Sequence, residues 1–329
     1  MNHPSGSVAL GTEWPEAHDL ARRMVAEGGG SVRVVLLYGS RLLKTRPDRH
    51  SALDFVVIVD DYRAYYAGLS AADELQRPVG LMTFLARFLA PNVIAYTPED
   101  GRNGLAKCLV VSRADFERAL GPHHPDHFLL GRMIQRVGEV WAASPEDLLW
   151  VREQIRGAHA RVLDWVGPYL DGEVSASDLG RTLLEVCYQG ELRPESRGRA
   201  GAIFEAQADH FASALAPTLE RAVEAGVMVP GEGIAGDDDA RFLLSRPTSV
   251  ADRRRVRRYF RRSKRRTTLR WFKHMVTFAN WLPYVVRKVE RHTGRTIELT
   301  AVERKLPLIF LWPRAIHVLL TRPRREIEK

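Results

Sequence analysis

The sequence predicts an α/β amino-terminal region, then a mostly helical region, then a strongly basic carboxy-terminal extension. Three observations lead there. Short β-rich runs (Val32 to Tyr38, Ala52 to Val59, Asn92 to Tyr96, Ala106 to Val111) alternate with helical spacing up to about residue 120. From Asp126 the apolar residues recur at helical intervals. Between Arg253 and Lys273 basic residues follow one another without an intervening acid. The expected divisions are residues 1–125, 126–245 and 246–329.

Each element has a local reason. Leu20, Ala21, Met24 and Val25 share one face of a helix expected over residues 15 to 27, which Gly28-Gly29-Gly30 stops. Val32 to Tyr38 is a continuous apolar run ended by Gly39, as a buried strand would be. A polar loop, Arg41 to Ser51, leads to the second strand, and Asp60 and Asp61 end that strand as solvated turn residues. Tyr62 to Tyr66 and Leu81 to Leu89 read as helices ahead of the two remaining short strands. Leu129, Met133, Ile134, Val137 and Val140 trace one helical face and Ile155, Val162, Leu163 and Val166 another, so residues 126 to about 170 are expected to be helical. A further helix starts near Asp178, Ala202 to Met228 continues the pattern, and Gly231 to Asp239 has loop composition.

Composition bounds the function. A chain of 329 residues has room for two domains. The formal net charge of +9 favours polyanionic partners: nucleotide, nucleic acid or an anionic membrane surface. Its two cysteines, Cys108 and Cys187, exclude a disulfide scaffold and a CxxC metal knuckle and suit a reducing cytoplasm. The first residues, with Glu13, Glu16 and Asp19, have neither a secretory apolar core nor transit-peptide character. No apolar run approaches the ~20 residues of a membrane-spanning helix.

The chemistry centres on VVLLYGS, a loop, and ALDFVVIVDD. A strand running into Gly39-Ser40 presents backbone N–H groups at a tight turn, where a phosphate can sit. Gly39 permits close approach and the Ser40 hydroxyl adds a donor. A carboxylate on the adjoining strand, Asp54, can hold a divalent metal (Mg²⁺ or Mn²⁺) bridging a triphosphate. Strand, Gly-Ser turn, loop and strand-borne acid are the sequence form of the α/β nucleotidyltransferase fold, a small mixed sheet with helices. Many such proteins carry two acids two positions apart, and here the earlier position is Ala52. Asp60 is ~20 Å along the strand from Asp54 at ~3.3 Å per residue, too far to share one metal. A second ligand must come from elsewhere.

These residues resemble the mitochondrial-type phosphatidate cytidylyltransferases, or CDP-diacylglycerol synthases, which join CTP to phosphatidic acid. Asn103 to Val111 is similar to that family's glycine-rich turn and lysine-bearing strand, and Leu130-Gly131-Arg132-Met133 to its Gly-Arg helix. Cys187-Tyr188-Gln189-Gly190-Glu191-Leu192-Arg193 resembles its Tyr-Ser-Gly-Asp-x-Arg motif, and Arg199 and the stretch ending His210-Phe211 continue the likeness. The likeness spans residues 32 to 275 and implies a helical, winged-helix-like second domain and a basic region that approaches the membrane. It implies that Tyr38, Gly39, Ser40, Lys107 and Arg132 bind nucleotide. It further implies that Asp54, Lys107 and Glu191 are catalytic, with Asp54 and Glu191 on the metal, and that Tyr188, Arg193 and Arg199 hold the substrate phosphate. Glu191 stands where the family has aspartate, and Gln189 where it has serine.

The basic stretch suits an RNA-binding arm, an anionic lipid surface or a solvated helix face. The apolar segments that follow, Val276 to Val286 and Leu306 to Leu320, combine tryptophan, proline and aliphatics with flanking basic residues, and favour lipid over nucleic acid. They also suit packing in the core of the second domain. The leading expectation is a metal-dependent transferase making CDP-diacylglycerol and pyrophosphate. CTP and phosphatidic acid would be its substrates, and residues 253–320 would meet the inner face of the cell membrane. The rival expectations are a nucleotidyltransferase acting on RNA, protein or a small molecule, and a non-catalytic membrane or nucleic-acid adaptor.

Overall fold

The computed structural model describes residues 8–9, 13–43, 52–96, 106–190, 198–231 and 240–278. Strand β1 (Val8–Ala9) and helix α1 (Pro15–Glu27) precede strands β2 (Val32–Tyr38) and β3 (Leu53–Val59). Helices α2 (Tyr62–Ala71) and α3 (Val79–Phe88) lead to strands β4 (Asn92–Tyr96) and β5 (Ala106–Ser112). Helices α4 (Arg113–Leu120) and α5 (Leu130–Met133) precede strand β6 (Gly138–Ala142). Then come helices α6 (Pro145–Ala160), α7 (Leu163–Val166), α8 (Ala176–Gly190), α9 (Gly198–Glu205) and α10 (Ala208–Glu224). The hairpin β7 (Met228–Pro230) and β8 (Phe242–Leu244) follows, and the long helix α11 (Val250–Thr277) completes the unit that ends at Thr277.

The α/β expectation holds: five strands form a mixed sheet in the order β6-β2-β3-β5-β4, with the short β1 added beside β6. Only β3 and β5 run parallel among the sheet's pairs. Both faces of the central strands are buried, which is why they read as unbroken apolar runs rather than alternating ones. One face carries Val35, Leu37, Phe55, Val57 and Val110, packed with Leu20 and Met24 of α1, Tyr65 and Tyr66 of α2 and Met82 of α3. The other carries Leu36, Val56, Ile58 and Leu109, covered by α4 and α6 through residues such as Phe116 and Val151. At ~1.5–3 kcal/mol per fully buried large apolar side chain, these two layers supply most of the drive to fold.

Local signals set the ends. Gly29 and Gly30 take φ of 61° and 70°, ending α1 in a conformation that glycine adopts without strain. Asp61 caps α2 through Ala64 N at 2.8 Å, while Asp60 is exposed beside Arg33, so both acids serve the turn as expected. Cys108 and Cys187 are buried, and neither forms a disulfide.

Three expectations are corrected. Residues 126–170 are not all helical, because Gly138–Ala142 is strand β6, antiparallel to β2. Val137 and Val140 fit helical spacing, but the backbone groups along the open side of β2 need partners, and this segment supplies them. Residues 202–228 are two helices, α9 ending at Glu205 and α10 starting at Ala208, and the β7–β8 hairpin follows. The polybasic run is not wholly a solvated face. On α11, Val256, Phe260, Ser263, Arg270, Lys273 and Thr277 form a buried stripe. No helix among the described residues is long and apolar enough to cross a membrane.

Candidate functional site

Tyr38, Asp54 and Lys107 lie in one row across three neighbouring strands, since Tyr38 pairs with Asp54 and Asp54 with Lys107. Leu37, Phe55 and Cys108 belong to the opposite face, so strand alternation puts the row on the face shared with Leu36, Val56 and Leu109. The row stands at the carboxyl end of β2 and the amino ends of β3 and β5. Immediately beyond Tyr38 the chain turns at Gly39, with φ of 85°. A Cβ at Gly39 would come within 2.9 Å of Asp54 Oδ2, so the turn and the carboxylate approach closely only because the residue is glycine. Burial and, after it, the Asp54 charge push the Cys108 thiol well above its ordinary range, as expected for a carboxylate held near an apolar layer.

A second set of charges borders the row. Asp126, 4% exposed, accepts from Arg266 Nε at 2.7 Å, Arg270 Nη2 at 2.9 Å and Phe128 N at 3.1 Å. Burial alone would raise the Asp126 pKa, but Arg270 and Arg266 more than offset it and hold the carboxyl below its usual range. Arg270 also donates to Ala90 O at 2.7 Å. Lys273 donates to Leu89 O and, at 2.7 Å, to Pro91 O; burial and Arg270 lower its pKa to about 6. Thr277 Oγ1 reaches Val93 O at 2.8 Å, so the last turns of α11 run along β4. Arg132 donates to Phe128 O and stacks on the Phe128 ring with Cζ 4.0 Å from its centroid. His274 packs on the same ring, and burial together with Lys273, Arg270, Lys107 and Arg132 drives its pKa well down.

A cavity of about 330 Å³ lies beside this cluster, lined by Ala90, Pro91, Asp115, Asp126 and Arg266 among others, and not by Asp54 or Lys107. Its two acids are engaged, Asp126 as above and Asp115 by Tyr62 Oη at 2.7 Å and Ser112 Oγ at 2.9 Å. The row is therefore the better candidate for chemistry.

Among the expected site residues, Tyr38, Gly39, Ser40, Asp54 and Lys107 come together at one end of the sheet, and the charges of Arg132 and Lys107 both act on His274. Tyr188 is half-buried in the last turn of α8, next to Cys187, whose Sγ is 3.0 Å from His127 Nε2. Glu191 and Arg193 lie outside the described residues, as does the side chain of Arg199, and so do the apolar segments beyond residue 278. Among the described residues no three His, Cys, Asp or Glu side chains gather as a metal cage. One carboxylate beside the Gly39 turn suits a magnesium-type ion, which keeps much of its shell for substrate oxygens.

Arg270, His274 and Asp126 were not expected at a site. Only Arg270 had a local signal, its place in the helical stripe Val256, Phe260, Ser263, Arg270, Lys273 and Thr277 inside a charge run; Asp126 and His274 had none. No known protein-family profile matches the chain, and no curated protein sequence matches it.

Proposed function

We propose that the protein is a nucleotidyltransferase that joins CTP to a lipid phosphate, as the phosphatidate cytidylyltransferases that its motifs resemble do. The observation that carries this reading is the Tyr38–Asp54–Lys107 row beside the Gly39 turn. The nucleotidyltransferase fold belongs to the same proposal, supported by a mixed sheet with this turn and acid on adjacent strands. Helices α8 to α10 followed by the β7–β8 hairpin suit a winged-helix-like second domain.

In this reading the triphosphate lies over the Gly39-Ser40 turn, whose N–H groups and hydroxyl hold its oxygens. Asp54, with Glu191 as the proposed second ligand, would hold Mg²⁺ or Mn²⁺, which neutralises and polarises the triphosphate when bound. An oxygen of the lipid phosphate attacks the α-phosphorus, the bond to the β-phosphate oxygen breaks, and pyrophosphate leaves. Lys107, one strand from Asp54, sets an ammonium where that charge develops. Tyr188, Arg193 and Arg199 are the proposed holders of the acceptor phosphate.

A lipid acceptor is supported by the exposed aromatics. Phe84 and Phe88 on α3 stack with centroids 6.1 Å apart and are 64% and 62% exposed, and Trp271 on α11 is 59% exposed. Aromatic rings among arginines are the composition of a surface that meets an anionic bilayer. Such a membrane would be the inner face of the cell membrane, with residues 253–320 as the contact.

The deciding experiment incubates the protein with labelled CTP, Mg²⁺ and phosphatidic acid vesicles, beside Asp54→Asn. CDP-diacylglycerol and pyrophosphate should form, and the variant should lose at least ~10²-fold in rate, the scale of a lost electrostatic catalyst. No CDP-lipid from the wild type, while another nucleotide or an RNA acceptor gives product, would overturn the reading.

A further inference from the structure

Two buried polar atoms near the site have no hydrogen-bond partner: Arg270 Nη1 and His274 Nε2. Arg270 is 1% exposed, and a buried donor left unpaired costs free energy that a fold does not ordinarily leave unanswered. The two residues are four apart on α11, so they share a helix face. Both flank Phe128, with Arg270 Cζ 4.5 Å and the His274 ring 5.7 Å from the Phe128 centroid. Arg132 stacks on the same ring. One phenyl ring thus gathers three nitrogen-rich side chains, with Lys107 within electrostatic reach of His274.

We propose that Arg270, His274 and Arg132 form a binding subsite for the phosphate monoester of the acceptor, additional to Tyr188, Arg193 and Arg199; this moves Arg132 from the nucleotide to the acceptor and leaves Lys107 on the leaving group. This rests on the reading of the Asp54 row as a nucleotidyl-transfer site. The sheet order supports the assignment to the acceptor rather than the nucleotide. The Gly39 turn follows β2, whereas α11 lies along β4, three strand spacings or ~14 Å away, with Asp54 and Lys107 between. The acceptor therefore enters from the α11 side, where Trp271 and Phe272, next to the buried Arg270 in sequence, are exposed. A phosphate monoester is the fitting anion because it brings several acceptor oxygens and a double charge. The groups facing His274 are Lys107 from β5, Arg132 from α5, and Arg270 and Lys273 on its own helix, with Asp126 as the counter-charge on Arg270. An added dianion reverses the local balance, so the imidazole takes up a proton when the subsite fills. Both orphan atoms are closed off from water, so filling also moves the side chains around them.

The test uses the full chain and follows the His274 imidazole nitrogens by NMR while inorganic phosphate is added. In parallel, binding to phosphatidylcholine vesicles with and without phosphatidic acid separates a lipid source from a free phosphate monoester such as glycerol 3-phosphate. We expect phosphate to raise the His274 pKa, and His274→Gln to weaken binding of the phosphate monoester tenfold or more without lowering the melting temperature. Arg132→Gln should act in the same direction. An imidazole signal indifferent to saturating phosphate in the wild-type protein overturns the subsite, whatever the variants do. Unchanged KM for phosphatidic acid in His274→Gln, with CDP-lipid still formed, overturns the subsite but leaves the transferase reading standing. Phosphate binding at His274 with no CDP-lipid formed does the reverse.

Discussion

Replacing Asp126 with asparagine should cost ~3–5 kcal/mol of folding free energy, the scale for removing one partner of a buried ion pair. The magnitude follows from what the change leaves behind. Arg270 would remain 1% exposed with its positive charge answered only by the dipole of Ala90 O, the Phe128 ring and a neutral amide, and Arg266 would lose the charge of its 2.7 Å acceptor. Against a total stability of ~5–15 kcal/mol, that is about a fifth or more of what a domain has. The assay is urea denaturation, where the midpoint should fall with little change in slope. The acid limb offers a second check. Because the folded pKa of Asp126 lies below its ordinary value of 3.8, its contribution is complete above that value and disappears as the pH falls through the lower folded one. The variant should lack this acid-dependent component. A double variant, Asp126→Asn with Arg270→Met, should be less destabilised than the sum of its parts, since it leaves no buried charge without a partner. A loss below ~1 kcal/mol in the single variant would refute the view that this pair anchors α11.

Gly39→Ala should reduce the proposed nucleotidyl transfer far more than it reduces stability, because the new Cβ falls 2.9 Å from Asp54 Oδ2 at a φ of 85°; steady-state rates beside melting curves check this. Lys273 has a folded pKa of about 6, so between that pH and its ordinary 10.5 the unfolded chain binds the extra proton and stability should rise with pH. Lys273→Met should remove that rise, measured by urea midpoints across the range. Phe84→Ser with Phe88→Ser should weaken flotation with phosphatidic acid vesicles while leaving the fold unchanged by circular dichroism, since both rings are exposed.

The strands at residues 32–38, 53–59 and 106–112 were legible because central strands of a doubly covered sheet are apolar on both faces, and the edge strand at 92–96 because it too is almost wholly buried. The partnership of Asp54 with Lys107 was legible as adjacency but not as register, because register is fixed by pairing across fifty residues of chain. Strand β6 escaped because Val137 and Val140, three apart, fit a helical period, and only the open side of β2 decides otherwise. The burial of Arg270 and Lys273 escaped for a different reason. A run of arginines is read as solvated, and nothing local reveals that Asp126 and the carbonyls before β4 wait for two of its members.

That last arrangement governs how the molecule meets copies of itself. Strand β4 is the terminal strand of the sheet, and such strands offer unpaired backbone groups to any passing chain. Here Thr277 claims the carbonyl of Val93 on the strand, and Lys273 and Arg270 claim those of Leu89, Ala90 and Pro91 just ahead of it. The helix serves as a sealing strip, and clipping it away would turn a self-contained sheet into one that recruits further strands and assembles.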